Sequence, residues 1–278
     1  MLTASLRRWL TPKRAAVLAM ALVLLSGILY WVLHRSPDEA WLEVLKRGAL
    51  IVCLDPSYPP FEYEDEATGK LTGFDVELAY AIGDYLGLGI EIATVGFDGL
   101  YDALKARRCD VVISAIPYDP LLTQDVAYSV AYFDAGVFIV VREEDDSIGG
   151  VEDLRGKTVA VEWGSTGDVE ARRLQNRLGD ITIKPYQSPE EALQAVKSGE
   201  ADAALADAIS AYQFMGREGG VKTVGDPVVS SPYVAAVNIK GRALLAKVDE
   251  ALLHFRKTGY LYDLAEKYFG VRPEHLWP

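Results

Sequence analysis

Cysteine and histidine are scarce in this sequence, with two of the first and three of the second in 278 residues. Two cysteines cannot build a disulfide framework. Cys53 and Cys109 border apolar, strand-like runs (LIVCLD and CDVVIS), so both are expected as buried free thiols. The histidines are widely spaced, which leaves no His-rich metal site and no Ser-His, Cys-His or paired-His arrangement for catalysis. Neither a metal nor a cofactor is expected. Basic residues are also short outside the N-terminus. Residues 1–35 hold five bases and no acid, so residues 36–278 carry 23 bases against all 40 acids, a formal charge of −17. Such a body lacks the clustered Lys and Arg that nucleic acid or anionic lipid demands. The surplus acid favours solubility and, at close range, cationic ligands.

One stretch lacks charge altogether. Residues 15–33 (AAVLAMALVLLSGILYWVL) are 19 consecutive uncharged residues. At a rise of about 1.5 Å per residue this length roughly crosses a bilayer core. Arg7, Arg8, Lys13 and Arg14 precede it and hold the N-terminus inside, which places the rest of the chain outside. A cleaved export signal is the alternative. No small-x-small site follows the run, however, and Ile28 stands where a lipidated cysteine would follow Leu25-Ser26-Gly27. The expected layout is a basic cytoplasmic tail (1–14), an anchor or uncleaved signal (15–33), a linker (34–46) and an exported body.

The body alternates short apolar runs with helical periodicity, the pattern of a layered α/β fold. Leu50–Leu54, Ile90–Val95 and Val111–Ser114 read as strands separated by helices at 75–86 and 98–107. The pattern then restarts. Lys157–Glu162, Ile181–Pro185 and Ala203–Ala206 read as strands, with helices at 168–178 and after Ser188-Pro189-Glu190-Glu191, where Ser caps, Pro opens and Glu sits third. Two tandem units imply two lobes, here 47–137 with 233–278 and then 138–232. Ligands of such sheets bind at the strands' carboxyl ends. Extended stretches at 132–141 and 232–239 read as two hinge crossings, and helices at 243–257 and 259–269 return to the first lobe.

Five strings carry a resemblance, in order: LIVCLDPSYPPFEYEDEATGKLTGFDVELAYAI, FDGLYDALKARRCDVVIS, VEDLRGKTVAVEWGSTG, SPEEALQAVKSGEADAALAD and GYLYDLAEKYFG. From about residue 42 to 270 the chain resembles the family 3 bacterial extracellular solute-binding proteins, the polar amino acid receptors of ABC importers. The resemblance implies a periplasmic-binding-protein-like type II fold and a monomer, which the anchor at 15–33 would hold at the outer face of a bacterial membrane. It also implies a small amine or amino-acid-like ligand and an ABC permease as partner. Residue by residue, it implies that Tyr58, with Asp55 before it, flanks the ligand side chain, and that Phe97 packs opposite. Ser114, Ala115 and Ile116 follow the third strand in the stretch that touches the ligand. Ser165-Thr166 offers helix-start amides to a carboxylate, and Asp207 accepts the ligand's α-ammonium. Each also has a structural alternative, as core for the aromatics and as a cap for Ser165-Thr166 or Asp207.

The chain departs from that pattern after the third strand. Leu122 stands where the family has the Arg that clamps the ligand carboxylate, and Pro117 replaces the first hydroxyl residue. Asp55, Glu62, Asp119, Glu162 and Asp207 populate the expected crevice, and Tyr58, Phe97, Tyr118 and Trp163 form a candidate aromatic cage. A ligand of net positive or neutral charge is therefore expected, an amine, a quaternary ammonium compound or a basic amino acid derivative held by its cationic end; Arg142 in place of the missing Arg would keep a standard amino acid open. Two further readings stay open: a membrane-tethered sensor or accessory module, and an enzyme on the same fold.

Overall fold

The computed structural model describes residues 19–22, 24–26 and 39–277. The chain divides into two units, Met1–Asp38 and Glu39–Pro278. Most of the uncharged stretch 15–33 lies outside the described residues, and among those described no helix is long and apolar enough to cross a membrane.

The body opens with α1 (Glu39–Arg47). Residues 39–46 were expected as linker; they instead form a helix whose one buried residue, Val44, joins the core. Next come β1 (Ala49–Leu54), β2 (Ser57–Tyr58), β3 (Glu62–Glu64), β4 (Leu71–Thr72), α2 (Phe74–Leu86), β5 (Gly89–Thr94), α3 (Leu100–Lys105), β6 (Val111–Val112) and β7 (Val126–Tyr128). The chain crosses over in β8 (Phe133–Asp134). It continues through β9 (Val137–Arg142), β10 (Thr158–Glu162), α4 (Thr166–Leu178), β11 (Thr182–Tyr186), α5 (Pro189–Ser198), β12 (Ala203–Asp207), α6 (Ala208–Glu218) and β13 (Val221–Val229). It returns in β14 (Pro232–Tyr233) and finishes with β15 (Ala236–Asn238), α7 (Arg242–Thr258) and α8 (Tyr260–Phe269).

The sheets repeat one plan. The first has strand order β5-β1-β6-β15-β7 and the second β11-β10-β12-β9-β13. In each, a central strand (β1 or β10) runs parallel to two neighbours, and antiparallel strands complete the sheet. β1 and β10 therefore aim their carboxyl ends, Asp55 and Glu162, at the place where open α/β sheets hold ligands. The two-lobed α/β architecture read from the sequence is the one observed.

Helix boundaries follow local chemistry. Gly73 precedes α2 at φ 131°, and a Cβ there would stand 2.1 Å from the Phe61 carbonyl oxygen. Only glycine fits this approach. Ser188 caps α5 by accepting from the Glu191 amide at 3.2 Å, with Pro189 in the first turn.

Of the stretches read as crossings, only β8 and β14 pair between the lobes; β9 and β15 belong to the two sheets. Asp134, 1% exposed, ties the crossings by accepting from Gly136 N (2.8 Å), Ser231 N (2.7 Å) and Ser230 Oγ (2.6 Å). A further link lies behind them. Gly216 of α6 meets the end of α8 so closely that a Cβ would stand 1.8 Å from the Phe269 carbonyl oxygen.

The cysteines differ from expectation. Cys53 and Cys109 form a disulfide with Cα atoms 5.7 Å apart, buried among Leu100, Leu104, Val112 and Ile116. Apolar flanks suit a buried thiol and a buried bridge equally, and the separation of 56 residues gives no local sign of the pairing. Bridges of this kind persist outside the cytoplasm.

Candidate functional site

Two depressions flank the crossings. The first, about 380 Å³, is lined by Asp55, Ser57, Tyr58, Glu62, Phe97, Ala115 and Pro117, with Ser231 and Tyr233 from the second crossing. The second, about 150 Å³, is lined by Glu162, Ser165, Thr166, Gly167, Pro189, Ala192, Leu205, Ala206 and Asp207, with Val137 from the start of β9. The larger volume and all three lining aromatics, Tyr58, Phe97 and Tyr233, belong to the first depression, so most of a ligand's bulk fits there.

The first half-site is built on the end of β1. Asp55 accepts the Phe97 amide on Oδ2 (2.7 Å) and donates its own amide to Ser114 Oγ (3.0 Å). Ser114 Oγ in turn donates a hydrogen bond to Glu62 Oε1 (2.8 Å). Ala115 adopts a left-handed backbone (φ 44°) that turns its amide onto Asp75 Oδ2 at 2.6 Å. Strain of this kind in a non-glycine residue accompanies functional turns. Tyr58 stacks on Phe61 with ring centroids 5.7 Å apart, and its hydroxyl lies 3.4 Å from that of Tyr233. Phe97 is 51% exposed and Tyr58 41%, so both rings present open faces.

The second half-site is built on the start of α4 and the end of β12. Ser165 caps α4: its Oγ accepts from the Asp168 amide and donates to the Glu162 carbonyl (2.8 Å). That hydroxyl is committed to the helix, while the first-turn amides of Thr166 and Gly167 stand at the pocket wall, where helix-start N–H groups hold anions. Asp207 does two things at once. Oδ1 caps α6 through the Ser210 amide (2.9 Å), and the residue lines the pocket.

Not every expected site residue arrives. Asp55, Tyr58, Phe97 and Ala115 meet in the first half-site, and Ser165, Thr166 and Asp207 in the second. Ser114 is fully buried and acts through Glu62, and Ile116 is core. Leu122, in a 3₁₀ turn at Pro120–Leu122, packs on the apolar cluster around the disulfide and lines neither depression. Trp163, 68% exposed, and Tyr118, 46% exposed, also stand outside both, so the four-ring cage reduces to Tyr58 and Phe97. Arg142 does not replace the missing Arg. It lies at the far end of β9 from Val137, about 16 Å away at a strand's rise, bonded to the Ala201 carbonyl and Asp145. Sequence reading missed Tyr233, Asp75 and Tyr132, which carry no local motif. Among the described residues no Lys, Arg or His lines either depression, and four carboxyl groups do.

Burial dominates the electrostatics. Glu62 is 1% exposed and Asp75 0%. Glu62 is raised well above the ordinary carboxyl range by burial and then by Asp75's charge. Asp75 is raised by burial, against the opposing bonds from the Tyr132 hydroxyl, the Ala115 amide and Glu62.

Residues 50–271 match the bacterial extracellular solute-binding proteins, family 3. An L-cystine-binding protein of Escherichia coli is 30% identical over 262 residues, 93% of this chain and 96% of the relative. An arginine-binding extracellular protein of Bacillus subtilis is 30% identical over 266 residues, 95% of this chain and 98% of that one. Among solved structures, an ancestral cyclohexadienyl dehydratase matches with a TM-score of 0.74 and 27% identity, covering 86% of this chain and 99% of its own. The L-cystine solute receptor of Neisseria gonorrhoeae, unliganded and open, matches at 0.73 with 25% identity, covering 84% and 99%. With both half-sites in place at the carboxyl ends of its sheets, the chain belongs to the family 3 extracellular solute-binding proteins.

Proposed function

We propose that this protein captures a cationic amino acid or related amine outside the cytoplasm and hands it to an ABC permease. The observation that carries this reading is the make-up of the walls: carboxyl groups of Asp55, Glu62, Glu162 and Asp207 line the half-sites, with no base among the described lining residues. A buried carboxylate on a ligand would find only the α4 amides, whereas a cation finds several acceptors and two open rings. An amino acid fits with its α-carboxylate on Thr166 and Gly167, its α-ammonium on Asp207 and its cationic end near Asp55. The arginine-binding relative supports this class, and the likeness to an open, unliganded receptor supports capture by closure about the crossings. Residues 15–33 fit an anchor or export signal that keeps the lobes extracytoplasmic.

A thermal-shift series with L-arginine, L-lysine, L-cystine and L-glutamate tests the class. A ligand at 100 times its Kd adds about 2.7 kcal/mol, or about 5–10 °C for a body of this size. L-arginine or L-lysine is expected to give that shift and L-glutamate none. A shift with L-glutamate alone contradicts the reading.

A further inference from the structure

Glu62 and Asp75 stand out among the buried groups. They come from different segments, β3 and the first turn of α2, yet the consecutive residues Ser114 and Ala115 hold one each, which brings the two carboxyl groups together. One oxygen of each is held: Glu62 Oε1 by Ser114 Oγ (2.8 Å), and Asp75 Oδ2 by the Ala115 amide (2.6 Å) and the Tyr132 hydroxyl (2.7 Å). The other two, Glu62 Oε2 and Asp75 Oδ1, are buried and accept no bond from any N–H or hydroxyl of the described residues. Two buried carboxylates without a cation cannot both stay ionised. The groups facing the pair are Asp55 at the end of β1, Ser114 and Ala115 after β6, Tyr132 before β8 and Tyr233 on β14; they add negative charge or neutral dipoles. Neither carboxylate joins an ion pair among the described residues. Glu62, unlike Asp75, also lines the first half-site.

We propose that Glu62 and Asp75 share one proton on the wall of the first half-site, and that a cationic ligand displaces it and takes Glu62 as counter-ion. The exchange balances: the ligand's cation enters, the proton leaves to the buffer, and the pair passes from one negative charge to two, offset by the ligand. With neutral ligands the proton stays and Glu62 remains a neutral wall. Glu62 thereby sets selectivity for cations, and selectivity sharpens as the pH rises. Burial drives both carboxyls in the direction that keeps the proton at neutral pH. The ligand half of this proposal rests on the cationic-ligand reading above.

Two measurements on the full chain separate the parts. The first needs no ligand. The infrared C=O stretch of a protonated carboxyl is expected in the native protein at neutral pH and absent in Glu62→Gln, whose amide keeps the Ser114 bond and can donate to Asp75. Absence of that band in the native protein overturns the proposal and leaves the ligand class untouched. The second is calorimetric titration with L-arginine at about pH 6 and about pH 8, in phosphate and in Tris. One proton released per arginine is expected, with Kd falling about tenfold per pH unit; Glu62→Gln should release none and show a flat Kd. Arginine binding without proton release, or with the same release in Glu62→Gln, overturns the exchange while the cationic class stands. A band without any arginine binding overturns the class, and the exchange with it.

Discussion

Breaking the Cys53–Cys109 bridge is expected to lower the unfolding free energy by about 4 kcal/mol and the melting temperature by about 8–16 °C. The magnitude comes from the loop: the bridge closes a separation of 56 residues, and releasing that constraint enlarges the unfolded ensemble. The native state should survive, because both cysteines are buried in an apolar cluster that would accept Cys53→Ala with Cys109→Ala. The bridge also bears on function. It pins β1 two residues before Asp55 to the chain entering β6, which leads into Ser114 and Ala115. Loosening it should therefore weaken ligand binding as well as stability. Calorimetry of the oxidised and double-alanine proteins reads the first effect, and a free-thiol count on the native protein checks the premise. Two reactive thiols after denaturation without reductant, with equal melting temperatures, would restore the free-thiol reading.

Removing one charge from the second half-site is expected to cost the most affinity. Asp207→Asn should weaken L-arginine binding by about 30- to 1000-fold, the effect of about 2–4 kcal/mol when a desolvated ion pair loses its carboxylate. The substitution is chosen for what it keeps. Asp207 Oδ1 caps α6 through the Ser210 amide, and Asn caps as well as Asp. The ligand-free melting temperature should then hardly change. An unchanged Kd in Asp207→Asn would make Asp207 a cap and nothing more. Asp207→Ala, which removes both roles, should lose the affinity and about 1 kcal/mol of stability besides.

The parts legible in the sequence are those written locally. Apolar runs of five or six residues between helical patterns revealed both β-α-β units, and Ser188-Pro189-Glu191 revealed the start of α5 because capping is a contact between near neighbours. Asp55, Tyr58, Ser165 and Asp207 came from the family resemblance, which matches them residue by residue, and each stands on the wall of a half-site. What failed depended on direction and on distance along the chain. Leu122 occupies the expected position, but the turn at Pro120–Leu122 lays it, half-buried, on the apolar cluster around the disulfide. Trp163 follows a strand that ends at the site, yet its ring points to solvent. The disulfide and the Glu62–Asp75 pair join segments whose proximity exists only after the sheet and α2 have packed. The helix at Glu39–Arg47 was hidden by its charges, since only Val44 is buried.

Two half-sites that close on a cationic ligand draw the lobes together. Small-angle scattering of the purified protein, titrated with L-arginine and with L-glutamate, tests this closure most directly. A smaller radius of gyration with L-arginine, saturating with the calorimetric Kd, and no change with L-glutamate is the predicted result. Contraction with L-glutamate, or arginine binding that leaves the radius unchanged, would contradict it.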